Sequence, residues 1–248
     1  MTAARRARWP WVLSVLVLVL AALVVAAELT ARAVLPGVVR SIVVDQLDLP
    51  ADQQLDVEAS GVLLPQLIGG RLDELHLASD HVTIGGVTGA ADVTATGVPL
   101  HGGALGGAEG TVAVDAEQFQ ALIDRSGLPI EDIRFQEPDV TISGTAELFG
   151  APVPLGLTVT PGADAGELLL TPVSASLAGS RIDLDELSDR FGGLGGQLVA
   201  TRRVCIADRL PAGITLTGLR IEGGSAVADI RADGRIAVDP ALLENGEC

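Results

Sequence analysis

A run of 19 uncharged residues, WPWVLSVLVLVLAALVVAA at positions 9–27, constrains this chain more than any other stretch. As a helix it would extend about 28 Å, close to the ~30 Å hydrocarbon core of a bilayer. Leu and Val dominate it, and a charged side chain at its centre would cost about 2.5–3.5 kcal/mol. Arg5, Arg6 and Arg8 precede it and Glu28 closes it. Trp9 and Trp11, the only tryptophans, stand at the basic end, where amphipathic indoles favour the headgroup layer. The arginines hold that end in the cytoplasm and send everything after Glu28 across the membrane. The expected layout is a cytoplasmic basic tail over 1–8, a transmembrane anchor or signal segment over 9–27, and an extracytoplasmic domain over 28–248.

A signal peptide is the competing reading, with Val25-Ala26-Ala27 before Glu28 as a tolerable cleavage site. Signal peptides carry a shorter apolar region of about 7–15 residues, so an uncleaved single-pass anchor is expected. No cysteine follows the run closely, which argues against a lipid-modified N-terminus.

The exported part is strongly acidic. Thirteen of the 16 arginines and all 32 acids lie after the run, a formal excess of 19 negative charges. Nucleic acid needs a basic face, so it is not an expected partner. Simple electrostatic adhesion to anionic lipid is disfavoured for the same reason. Tyrosine and lysine are absent, and the aromatics are Trp9, Trp11, Phe119, Phe135, Phe149 and Phe191. A sugar site built on stacked rings is therefore disfavoured, whereas an aliphatic surface suits acyl chains.

Cys205 and Cys248 are the only cysteines. In an exported domain they are expected to pair, closing a loop of ~44 residues and contributing roughly 3–4 kcal/mol. The bridge would tie down the last strand. His76, His81 and His101 show no ligand spacing, so neither a metal nor a cofactor is expected.

Residues 28–47 read as a helix continuing from the anchor, kinked or interrupted at Pro36-Gly37, with Leu35, Val39, Ile42, Val43 and Leu47 on one face. From Leu55 the period becomes two. Val140, Ile142, Ala146 and Leu148 alternate with polar residues, and so do Leu155, Leu157 and Val159. Val112 with Val114, Ile133 with Phe135, and Ile236 with Val238 extend the pattern of antiparallel strands with one buried face. Two helices are expected among them. Asp115–Ser126 carries Phe119, Leu122 and Ile123 on one side, with Asp115 as N-cap. Asp183–Phe191 carries Leu184, Leu187 and Phe191. Val82–Gly97 aligns without gaps on Leu219–Gly234, six identities suggesting a repeated hairpin. The fold class is α+β, one domain dominated by a twisted antiparallel sheet.

No Gly-x-Ser-x-Gly, Walker-type loop, HExxH or dinucleotide fingerprint occurs. Between Leu72 and Ile84 the apolar residues switch from odd to even positions, which predicts a bulge near Ser79-Asp80 beside His76 and His81. Gly61–Gly70, GVLLPQLIGG, has neither strand alternation nor helical length. Its Leu63, Leu64, Leu67 and Ile68 either plug the core or form the lip of an apolar cavity.

The order of these elements resembles the LmeA-like phospholipid-binding family of actinobacterial cell envelopes. The resemblance rests on the Leu64-Pro65-Gln66-Leu67 loop and the run Gly70–Leu77. It continues through Val82–Val87, Ala91–Pro99 and Leu210–Ile214 to the terminal Cys248. It implies a tubular lipid-binding fold, a long curled antiparallel sheet wrapped on the N-terminal helix around an apolar groove. It also implies phospholipid binding in the envelope, a role in lipoglycan assembly, and an association with phospholipase activity. No catalytic motif carries over. The first expectation is a membrane-tethered lipid-binding or lipid-transfer module. Its groove would draw on Leu63, Leu64, Leu67, Ile68, Phe119, Leu122, Ile123, Leu187 and Phe191. An envelope phospholipase with a noncontiguous site and a ligand-free structural domain are the alternatives.

Overall fold

The computed structural model describes residues 9–46, 54–84, 87–126, 130–148, 151–184 and 200–248. Trp9–Gln46 forms one helix, α1, of 38 residues, about 57 Å long. It runs through Pro36 without interruption, although proline supplies no N–H to the preceding turn. It is long and apolar enough to cross a membrane, a property shared by anchors and signal sequences.

The strands divide between two antiparallel sheets, neither closed into a barrel. The α+β class is as the alternation predicts, but the strands do not lie in one continuous sheet. The first sheet contains β1 (Asp56–Ala59), β2 (Arg71–Ile84), β3 (Val87–Pro99) and β4 (Gly107–Asp115), with β11 (Ile214–Glu222) and β12 (Ser225–Ala232), in the order β1-β2-β3-β4-β12-β11. The second contains β5 (Asp132–Gln136), β6 (Asp139–Leu148), β7 (Ala151–Asp164), β8 (Glu167–Leu177) and β10 (Arg202–Cys205), in the order β10-β8-β7-β6-β5. Ser180–Asp183, β9, also pairs with β8.

Two helices punctuate the sheets. α2 (Leu63–Gly69) precedes β2, and α3 (Ala116–Ser126) follows β4. Asp115 caps α3 as expected, accepting the Gln118 N–H at 2.8 Å. The expected helix Asp183–Phe191 falls beyond Leu184 outside the described residues. The register of β2 on β3 shifts between Ser79 and Val82, the bulge that the switch in apolar phase requires.

The repeated hairpins flank β4. Asp92 of β3 and Asp229 of β12 both register with Thr111, Ala91 and Ala228 with Val112, and Ala95 and Ala232 with Ala108. Only the inner strands correspond in this way, because β2 and β11 lie on opposite outer sides.

Two cores result. In the first, Val57, Leu63, Leu72 and Leu75 are buried and receive Ala31, Leu35 and Val39 of α1. In the second, Ile133, Val140, Val159 and Ile221 bring together the two sheets, with Phe119 of α3 against them. Phe119 and Phe135 meet edge to face with centroids 5.7 Å apart.

The chain's end corrects one expectation. Ile236 and Val238 form no strand; Gly234–Ala237 and Pro240–Leu243 are short 3₁₀ turns. Asp233 accepts the Arg235 N–H and Asp239 the Ala241 N–H, local bonds that compete with a ladder. Cys248 pairs with Cys205 of β10, as expected. The bridge thereby fastens the segment after β12 of the first sheet to the edge of the second.

Candidate lipid-binding grooves

α2 is built to divide its residues between two environments. Leu63 is 1% exposed and sits in the first core, and Leu67 packs against the same cluster. Gln66 is buried too, donating to the Ser60 carbonyl and accepting the Asp73 N–H, which ties α2 to β2. Gly70, left-handed at φ 71°, closes the helix and donates its N–H back to the last turn. The opposite side is apolar and open: Ile68 is 87% exposed and Val62 59%. The helical turn lets adjacent residues of this segment serve as core plug and as groove lip.

No side chain of Val62 caps α2. The cap comes from Glu28 on α1, whose two carboxylate oxygens accept the N–H groups of Leu63 and Leu64, each at 2.9 Å. These two bonds, with the neighbouring Arg32 guanidinium adding to them, hold the Glu28 carboxyl below its ordinary range. Arg32 bonds Glu28 at 3.0 Å and also reaches the Gly61 carbonyl. Between α1 and α2 lies an apolar groove of about 780 Å³, walled by Val24, Val25, Glu28 and Leu29 on one side and Val62, Leu64, Pro65 and Ile68 on the other.

A second apolar groove, of about 560 Å³, lies on the second sheet. Its floor follows from register. Ile142, Leu157, Ala175 and Ile182 form one row across β6, β7, β8 and β9. Gly144, Leu155 and Leu177 form the next. These rows continue the face whose other half, Ile133, Val140 and Val159, is covered by Phe119 and Ile221. Among the described residues cover stops at Ile142, and Leu157 and Leu177 remain 41% and 45% exposed. No charged residue lines this groove among the described residues.

A polar recess adjoins the first groove at Val62, lined by Arg32, Glu58, Ser60, Glu74 and His76. Ser60 Oγ donates to Glu74 at 2.7 Å, while His76 Nε2 lies 3.0 Å from both Asp92 oxygens. Serine and histidine there are engaged with different carboxylates rather than with each other. Among the described residues no group of His, Cys, Asp and Glu is arranged to hold a metal.

The described side chains among the site residues expected from sequence fall in three places. Leu64 and Ile68 line the first groove, Leu63 and Leu67 face the first core, and Phe119 belongs to the second core. The side chains of Leu122 and Ile123, and residues Leu187 and Phe191 entirely, lie outside the described residues. Sequence reasoning missed Val24 and Val25 as groove walls and Glu28 as a cap. The single acid closing the apolar run was the available signal for Glu28.

An antiparallel α+β domain with apolar grooves behind an apolar helix is suited to an apolar ligand. The profile of the LmeA-like phospholipid-binding family matches residues 26–229, most of the chain, and the chain belongs to that family. Comparison with curated proteins and with solved structures finds no match.

Proposed function

We propose that this protein is a membrane-anchored, extracytoplasmic phospholipid-binding or lipid-transfer module, with acyl chains held on the open half of the second sheet's apolar face. The carrying observation is that, among the described residues, this face continues uncovered from the core into a groove that no charged residue lines. Each methylene buried there gains about 0.8 kcal/mol, so eight supply roughly 6 kcal/mol before the costs of association. Micromolar affinity needs about 8 kcal/mol, within reach of two chains. The uncharged span and Arg5, Arg6 and Arg8 support an anchor with its N-terminus in the cytoplasm. The Cys205–Cys248 bridge supports an oxidising compartment for the domain. We read its role in the cell envelope as lipid supply for lipoglycan assembly, a reading that rests on the family resemblance.

Titration of delipidated full-length protein in detergent with a fluorescent phospholipid tests the proposal. Saturable binding at micromolar lipid, lost in Leu157→Asp/Leu177→Asp, is expected. Absence of saturable binding, or equal binding by that variant, overturns the assignment.

A further inference from the structure

We infer that α2 is an interfacial foot, its outer face of Val62, Pro65 and Ile68 lying in the outer leaflet, with one acyl chain of a leaflet phospholipid in the groove between α2 and α1. The inference rests on the reading that α1 spans the membrane.

The first argument is depth. Val24 and Val25 belong to the span that ends at Ala27, yet they wall the same groove as Val62, Leu64 and Ile68. At 1.5 Å per residue, Val24 sits about 4–5 Å inside the span's end, and α2 stands beside it. Ile68 and Val62 are thus continuous with the membrane-facing surface of α1 rather than isolated apolar residues in water.

The second argument is polar satisfaction. Hydrocarbon tolerates a helix end only when its free N–H groups are matched. The N–H groups of Leu63 and Leu64 are both held by Glu28, and Pro65, third in the helix, has none. The segment Gly61–Gly70 carries no charge, and its one polar side chain, Gln66, is turned inward. An end matched in this way can lie at the lipid interface without an orphan donor.

Full-length protein in phosphatidylcholine vesicles provides the test. The native cysteines are bonded to each other, so an environment-sensitive fluorophore labels only an introduced thiol. Three variants are compared: Val17→Cys in mid-span, Ile68→Cys on the foot, and Glu131→Cys just before β5 of the second sheet. The label at position 17 should be quenched by lipids carrying doxyl near the chain centre. At position 68 it should be blue-shifted, quenched by doxyl placed near the headgroup, and shielded from aqueous iodide. At position 131 iodide alone should quench. Position 17 responding to deep doxyl while position 68 is quenched by iodide as fully as 131 overturns the foot and leaves the anchor standing. Iodide quenching at 17 overturns the anchor and the foot with it.

Discussion

The Glu28 carboxylate accepts the Leu63 N–H at 2.9 Å across 35 positions of sequence, so the start of α2 is capped by the helix beside it. This bond and its twin at Leu64 place the junction of the apolar helix and the domain under the control of one side chain.

Glu28→Gln should therefore loosen α2 without unfolding the sheets. Amide exchange at Leu63 and Leu64 should quicken, on the order of tenfold, while β6 and β7 stay protected. Hydrogen exchange read by mass spectrometry checks this, and uniform acceleration would show that α2 is not a separate unit.

Glu28 also sets a pH dependence. Its folded pKa lies below its unfolded value, so the stabilisation is fully present above the ordinary glutamate range. It is lost as pH falls through the depressed folded value. Wild type should be more stable than Glu28→Gln at neutral pH, and the two should converge in acid. Melts of both across that range measure the difference.

α2 offers a contrast between neighbours. Leu63→Ala removes a fully buried side chain and should cost about 2–5 kcal/mol. Ile68→Ala should leave stability within roughly 0.5 kcal/mol, since its side chain is exposed. Denaturant titrations of the two variants decide whether plug and lip are separable.

Much of this architecture was legible in the chain. Period two marked β6 and β7, the phase switch marked the bulge after Ser79, and Asp115 marked the start of α3. What periodicity cannot give is where cover ends. Leu157 and Val159 alternate identically, yet Val159 lies beneath Phe119 and Ile221 while Leu157 faces the open groove. The α2 helix was illegible because its cap, Glu28, lies outside its local sequence. Ile236 and Val238 alternate as a strand would, but Asp233 and Asp239 divert their backbone into turns.

Cys248→Ser should destabilise the domain by about 4 kcal/mol, given a sequence separation of 43 between the bridged residues. The loss should appear first as exchange in β10 and in the segment after β12. Thiol labelling of denatured, unreduced wild type should find no free cysteine.

The N-terminus should remain attached in membrane-extracted protein. Intact mass distinguishes a full-length chain from one beginning at Glu28, which would make the segment a cleaved signal.

α1 passes from its apolar run to its first core contact, Ala31, without leaving the helix. A domain joined in this way is mounted on a post rather than tethered by a string. On the proposed reading of α1 as an anchor, its height above the bilayer and its orientation are set by the helix, and it searches by lateral diffusion of the whole molecule. Such a device can draw lipid from the membrane it stands in and present it at one fixed distance. Delivery farther away falls to a partner that comes to it.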